Sequence, residues 1–256
     1  MKDRRQHLDH LLADWPYEFG EVAARIVPGA DGREVLQLRV EMGVLQMETV
    51  GRPDGSRPGG HPTCLDWLQA EALEEGAAFE LDAARCMEID REFVQYFHRR
   101  VAWLALREFD RAVEDADHTL ALMDFSSLYA PHSEWAEMHE QYRPFVLFHR
   151  TQAAALATLE RGGPEPAIAE IEAGCATIRE SLLFDADASD LEGDLEGDLD
   201  QDELLVKLAE MKSAVAEHYD VASSLTRRLA DAIAAEQYEL AAQLRDQIGS
   251  KRRRNN

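Results

Sequence analysis

Residues 185–203 limit how this chain can fold, because a segment of this composition contributes little to a folded core. It holds ten acidic side chains and no basic one, and it contains the near-repeat Asp190-Leu-Glu-Gly-Asp194-Leu-Glu-Gly-Asp198. Like charges at this density repel one another and bury little apolar surface. The pattern therefore predicts a solvated linker between two ordered parts. A calcium loop is the alternative, but the acidic spacing of an EF-hand, with its Glu at the twelfth position, is not found.

The composition of the whole chain narrows the possible functions. Its 256 residues carry 27 Lys and Arg against 50 Asp and Glu, which gives a formal net charge of −23, while 45% of the residues are hydrophobic. The hydrophobic content is that of a folded protein. The charge disfavours direct nucleic-acid binding, because affinity for phosphate backbones comes largely from Lys and Arg.

Compartment and cofactors are predicted mainly from what the sequence lacks. The first residues do not read as a secretory signal, and no apolar run approaches the roughly 20 residues that span a bilayer. Cys64, Cys86 and Cys175 are widely spaced and form no C-x-x-C pair. We expect a soluble cytoplasmic protein with reduced cysteines, no membrane association, no cofactor and no metal.

The N-terminal region, 1–62, is predicted to contain a short helix over 1–14 and then a small β-hairpin or meander. Apolar residues alternate with polar ones in two segments joined by turn residues at 28–32, which is the period of half-buried strands. The alternating positions are Val22, Ala24 and Ile26, and then Leu36, Leu38, Val40 and Met42. Residues 44–47 are a candidate third strand, and the Gly- and Pro-rich segment 51–62 is a predicted loop.

Residues 63–184 are predicted to be helical. Thr63 is a plausible helix cap for a first helix that ends at Leu81. Two helical pairs follow, at 93–123 and 145–182, and Phe97-His98-Arg99 recurs as Phe148-His149-Arg150, 51 residues later.

These two helical pairs resemble degenerate tetratricopeptide (TPR) repeats, with Tyr96, Trp103, Phe109 and Ala112 at approximately the expected spacing. The period of about 51 is longer than the 34 of that family. An ordinary helical bundle is therefore the alternative. The recurring Phe-His-Arg is a candidate lining of a concave groove for an anionic ligand or a peptide, and the helical repeats are a candidate site for a second protein or peptide.

From residue 204 onward, apolar or small residues recur at alternating spacings of four and three. The positions are Leu204, Leu208, Met211, Val215, His218, Ala222, Leu225, Leu229 and Ala232. This heptad seam contains no Pro or Gly and predicts one long coiled-coil helix over about 202–235, packed against a partner helix. His218 is interpreted as a tolerated or register-setting polar position.

The last part of the 204–256 region resembles the UVR domain, or UvrB/UvrC motif, over about 222–249. The residues that carry the resemblance are Leu225, Leu229, Ala232, Glu236, Tyr238, Glu239, Ala241, Ala242, Leu244, Arg245, Asp246 and Ile248. Apart from Glu236, these are the predicted protein-interaction residues. Tyr238 stands where Phe is commoner in the family.

The resemblance implies a short antiparallel helical hairpin that binds another copy of the motif. The family uses it to join UvrB and UvrC in nucleotide excision repair, and it also occurs in McsA-like and ClpC-like proteins of bacterial protein quality control. The periodicity itself places Tyr238, Ala241, Ala242, Arg245 and Ile248 on one helix face. Such a face is a candidate docking surface, with Glu239 and Arg245 as polar partners. Alternatively, the hairpin folds back on the chain's own coiled coil.

Signals for catalysis are missing from the sequence. There is no phosphate-binding loop, no zinc cysteine pair, and the segment 132–139 is not an H-E-x-x-H metal motif. We therefore predict a non-enzymatic adaptor that docks through its hairpin, on a repair or Clp-type component carrying the motif. The alternative is a structural homo-oligomer, such as a homodimer, whose coiled coil and hairpin only self-associate.

Overall fold

The computed structural model describes residues 7–186, 201–219, 221–235 and 237–254, which form a mainly helical α+β fold, as predicted. The helices are α1 (Asp9–Asp14), α2 (Cys64–Glu75), α3 (Ala83–Ala105), α4 (Phe109–Tyr129), α5 (Ser133–Glu140), α6 (Arg143–Gly162), α7 (Pro164–Ala186), α8 (Gln201–His218), α9 (Val221–Ala234) and α10 (Tyr238–Arg254). The strands are β1 (Ala24–Pro28), β2 (Glu34–Val40) and β3 (Gly43–Glu48).

The chain divides into two compact units, Met1–Ala153 and Ala154–Asn256. The division falls inside α6. Most of the predicted acidic linker, 187–200, lies outside the described residues, as do residues 1–6 of the predicted first helix. The domain boundaries proposed from the sequence at 62, 184 and 203 stay predictions.

The first unit contains, after α1, the antiparallel sheet β1-β2-β3, which confirms both the hairpin and the third strand. The register pairs Ile26 with Leu36 and Leu38 with Leu45. The predicted continuation of the alternation to Met42 is wrong. Val40 already pairs with Gly43, so Met42 lies in the tight turn between β2 and β3 and is 90% exposed.

Both faces of the central strand are covered. Leu36 and Leu38 are buried, and so are Gln37 and Arg39, which alternate with them. Arg39 donates its Nε–H to the carbonyl oxygen of Trp15 at 2.7 Å. Polar residues on the second face of β2 are therefore hydrogen-bonded rather than exposed, as buried polar groups must be.

The predicted helix at Thr63 is confirmed at its beginning and corrected at its end. Thr63 Oγ1 accepts the backbone N–H of Asp66 at 3.0 Å, which caps α2. The helix ends at Glu75 rather than Leu81, because Gly76 adopts a positive φ of 56°. Phe79 and Leu81 then enter the core shared by α2, α3 and α4.

The first predicted helical pair corresponds to α3 and α4, which pack against each other, and the second to α6 and α7. Between the two pairs lies α5, which the sequence interpretation did not identify. The likeness to TPR repeats stays a prediction.

The predicted single helix over 202–235 is wrong, because α8 ends at His218 and α9 begins at Val221. The two halves of the heptad seam have different partners. Leu204, Leu208 and Val215 are buried on α8, which packs against α7, whereas α9 packs against α10. His218, between these halves, is exposed rather than part of a continuous buried stripe.

Candidate protein-interaction site

The predicted interaction residues lie on a helical hairpin formed by α9 and α10. The two helices pack against each other and are joined by three residues. Around this connection, Gln237 donates its backbone N–H to Ala232 O at 2.9 Å, and Ala241 donates to Gln237 O at 2.9 Å. The first bond ends α9 and the second begins α10, so the connection between the two helices is short and hydrogen-bonded.

One face of the hairpin is occupied by the chain itself. Ala232, Ala241 and Leu244 are buried together with Ile168 of α7 and Val215 of α8. Leu229 and Ile248 pack at the edge of this cluster and are partly buried. A hairpin of this size buries too little surface to be stable alone, so its apolar inner face is covered by the helices that precede it.

An ion pair adds a polar contact to this packing. Arg228 Nη1 of α9 lies 3.2 Å from Glu165 Oε1 in the first turn of α7. The arginine side chain is about half exposed, so solvent weakens the attraction and the pair contributes orientation more than stability.

The other face of the hairpin points to solvent. Tyr238 is 68% exposed, and Glu239, Ala242, Arg245 and Asp246 are also exposed. Arg245 Nη2 lies 3.3 Å from Asp246 Oδ1, and both side chains are about three-quarters exposed. We call Tyr238, Ala242 and Arg245, which recur at helical spacing on α10, the outer face.

The structure divides the residues that the periodicity placed on a single docking face. Ala241 and Ile248 turn inward with Leu244, whereas Tyr238, Ala242 and Arg245 stay outward. Leu244 lies three residues after Ala241 and four before Ile248, so these three form the stripe that packs inside the unit. The side chain of Leu225 and residue 236 lie outside the described part of the chain.

The outer face adjoins a shallow depression of about 460 Å³ at the start of α10, lined by Gln237, Tyr238, Glu239, Leu240 and Gln243. Leu240 is 40% exposed there, and Ile233 of α9 is 54% exposed elsewhere on the hairpin. Tyrosine and arginine, which the outer face exposes at Tyr238 and Arg245, are among the residue types most enriched among those that dominate binding energy at protein interfaces.

This segment matches a known motif. Residues 220–254 match the family model UVR: UvrB/uvrC motif. The match contains the whole of α9 and α10, and it includes both the buried stripe and the outer face. No curated protein and no solved structure matches the chain. A UVR motif is a protein-protein interaction element found in DNA-repair proteins, so the match indicates an interaction role.

Other residues singled out in the sequence have structural surroundings. His149 is buried, and burial together with Arg100, whose Nε lies 3.3 Å from His149 Nδ1, lowers the pKa of the imidazole to about 3. Burial also lowers the pKa of His98. His139 Nε2 lies 2.9 Å from Asp90 Oδ1. Among the described residues, no group of three or more His, Cys, Asp or Glu side chains is arranged to hold a metal ion.

Arg52, in the predicted loop 51–62, is buried. Its Nη1 donates to Glu88 Oε2 at 2.5 Å, and its Nε lies 3.7 Å from Glu92 Oε2. Glu92 in turn accepts the backbone N–H of Cys64 at 2.6 Å. This network fastens the loop and the start of α2 to α3, a connection for which the sequence offers no spacing signal.

Within the described residues, no helix combines the length and apolar character needed to cross a membrane.

Proposed function

We propose that this chain is a non-enzymatic adaptor that docks on a UVR-motif protein through the outer face of its C-terminal hairpin. The observation that carries the proposal is the exposure of Tyr238 and Arg245 on a hairpin whose opposite face is already buried. The match of residues 220–254 to the UvrB/uvrC motif supports the class of partner.

Because one face of the hairpin is buried within the chain and the other is exposed, the arrangement favours binding to a separate protein. The inner face takes its stability from Ile168 and Val215, so a partner on the outer face does not have to complete the fold. A partner that adds contacts to a preformed surface avoids much of the ordering cost of association. The hairpin therefore acts as a prearranged element that docks on a nucleotide excision repair or Clp-type quality-control component.

The adaptor role also requires a second binding surface. We assign it to the predicted helical repeats, with a protein or peptide as the bound molecule. The proposal includes no catalytic step.

Affinity capture tests the proposal. The intact chain is immobilised and exposed to lysate of the source organism, and captured chains are identified by mass spectrometry. The test variant is Tyr238→Ala with Arg245→Ala, because both side chains are exposed and their removal leaves the buried cluster intact. A captured UVR-motif protein that disappears with this variant is the expected result.

A matched control separates the outer face from general surface effects. Tyr219→Ala with Lys207→Ala also removes an exposed tyrosine and an exposed cation from the same unit, outside the matched motif. This control is expected to capture the same partner as the unaltered chain. Equal loss in both double variants would contradict a specific role of the outer face.

Self-association is the competing function, and sedimentation velocity distinguishes it. The first half of the heptad seam is buried within the chain, which removes Leu204 and Leu208 from any coiled coil between copies. A concentration-independent monomer that still captures a UVR-motif protein agrees with the adaptor. The adaptor hypothesis would be replaced by the homo-oligomer if the chain forms a stable homodimer that captures no other protein. In that case Tyr238→Ala with Arg245→Ala should dissociate the homodimer.

A further inference from the structure

A cavity between α7 and α8 has an apolar floor and charged residues at its rim, and none of the lining residues that the structure describes belongs to the hairpin. Its volume is about 370 Å³, which is within the range of pockets that hold small organic molecules. Both helices belong to the second unit, and the cavity lies away from the outer face of α10.

The floor of this cavity is apolar. It is lined by Ile171 and Cys175 of α7 and by Leu205 and Ala209 of α8. Ile171 is 1% exposed and Cys175 is buried. Burial raises the pKa of the Cys175 thiol, so the floor carries no charge at neutral pH.

The rim is cationic, in a chain whose net charge is −23. Among the lining residues that the structure describes, Arg179 and Lys212 are the cations and Glu172 is the one acid. Lys212 Nζ lies 3.7 Å from Glu172 Oε1, a long contact between two side chains that are each more than 40% exposed. Arg179 forms no ion pair with any residue that the structure describes. The described part of the rim therefore has one positive charge in excess, and this charge comes from an arginine.

We propose that this cavity binds an aliphatic monocarboxylate of medium chain length. One excess positive charge matches one carboxylate, and the planar guanidinium of Arg179 presents two parallel donors to its two oxygens. The alkyl chain lies on Ile171 and Leu205, where each buried methylene adds favourable transfer free energy. A hydrophilic dianion such as inorganic phosphate leaves the apolar floor unused.

Calorimetric titration of octanoate into the intact protein, below the concentration at which octanoate forms micelles, tests this proposal. We expect saturable binding of one octanoate per chain. Arg179→Gln, which keeps a polar side chain at an exposed position, weakens the affinity about tenfold or more, the scale of one charge-assisted contact. Arg227→Gln, a matched change of an exposed arginine on α9, leaves the affinity unchanged within about twofold.

Two further measurements test the two halves of the ligand separately. Acetate has the charge without the chain and octanol has the chain without the charge, so both bind far more weakly than octanoate. Ala209→Trp fills the cavity from an exposed position and abolishes octanoate binding while the circular dichroism spectrum stays helical. Absence of saturable octanoate binding overturns the proposal. Equal affinity of the Arg179→Gln and unaltered proteins overturns it too, as does full competition by acetate.

Discussion

Arg99 and Asp115 form a buried ion pair between α3 and α4. Arg99 Nη2 donates to Asp115 Oδ1 at 2.7 Å and its Nε to Oδ2 at 2.9 Å, while Nη1 donates to the carbonyl oxygen of Gly51 at 2.7 Å. Both side chains are 5% exposed. A guanidinium in this position depends on its carboxylate, because a buried charge without a partner is costly.

Replacing this carboxylate is therefore expected to destabilise the first unit strongly. Asp115→Asn leaves Arg99 without a counter-charge and lowers the free energy of unfolding by about 3–5 kcal/mol. Urea titration followed by tryptophan fluorescence measures the change, because all four tryptophans precede residue 154. The control is Asp117→Asn, which breaks the half-exposed pair with Arg150 and costs less than about 1 kcal/mol. A similar decrease in the free energy of unfolding in both variants would show that the buried pair stabilises the unit no more than the exposed pair does.

The buried imidazole of His149 predicts a dependence of stability on pH. Its pKa is about 3 in the folded protein, because of burial and the neighbouring Arg100, and near 6.5 in the unfolded chain. Between these values the unfolded chain binds more protons, so the free energy of unfolding falls as the pH is lowered from about 6.5 toward 3. The slope from this one group approaches about 1.4 kcal/mol per pH unit.

His149→Gln isolates this contribution. Glutamine does not titrate, and its amide oxygen is a possible acceptor for Arg100. Between about pH 6 and pH 4, the unfolding free energy of this variant should fall less steeply with acidification than that of the unaltered protein. The measurement is urea unfolding at a series of pH values, and coincident slopes would contradict the account.

At the scale of elements, the hairpin depends on the helices that precede it. Leu244 of α10 is 2% exposed and lies in the cluster with Ile168 and Val215. Truncating a buried leucine to alanine removes its transfer free energy and leaves a cavity.

Leu244→Ala should therefore destabilise the hairpin by about 2–5 kcal/mol. Hydrogen exchange read by mass spectrometry detects this as faster exchange of the amides in α9 and α10. Leu240→Ala is the matched control on the same helix, because Leu240 is 40% exposed and its truncation has little effect on exchange. The interpretation of Leu244 as part of the internal packing fails if exchange rates are the same in both variants.

Local patterns in the sequence predicted most of these elements. The alternation around Leu36 gave the central strand, Thr63 marked the beginning of α2, and the motif over 222–249 located the hairpin. Each of these signals depends on a single period or a single residue type, which a sequence displays directly.

The features that were not predicted depend on which helix packs against each apolar stripe. The heptad seam has the same spacing on both sides of His218, but α8 packs on α7 and α9 packs on α10, so its period could not reveal the break. Likewise, the helical periodicity placed Tyr238 and Ala241 on the same face. Only the contact of Ala241 with the cluster that contains Val215 shows that Ala241, and not Tyr238, is buried. The buried pair of Arg99 and Asp115 gave no signal, because charged residues at helical spacing normally face solvent.

At the scale of the whole molecule, the second unit buries one face of its motif and leaves the other face exposed. The buried cluster draws on α6, α7, α8, α9 and α10, so the hairpin is part of this unit rather than an appended peptide. One hairpin with one free face offers one docking site per chain. The account therefore predicts a partner bound at a ratio of one to one.

A binding titration between the intact chain and its purified captured partner tests the central claim most directly. The account predicts one partner per chain and an affinity that falls about 100-fold or more in Tyr238→Ala with Arg245→Ala, the combined scale of two dominant interface residues. Tyr219→Ala with Lys207→Ala should bind within about twofold of the unaltered chain. If the Tyr238 and Arg245 variant binds as tightly as the unaltered protein, the outer face of the hairpin is not the docking surface.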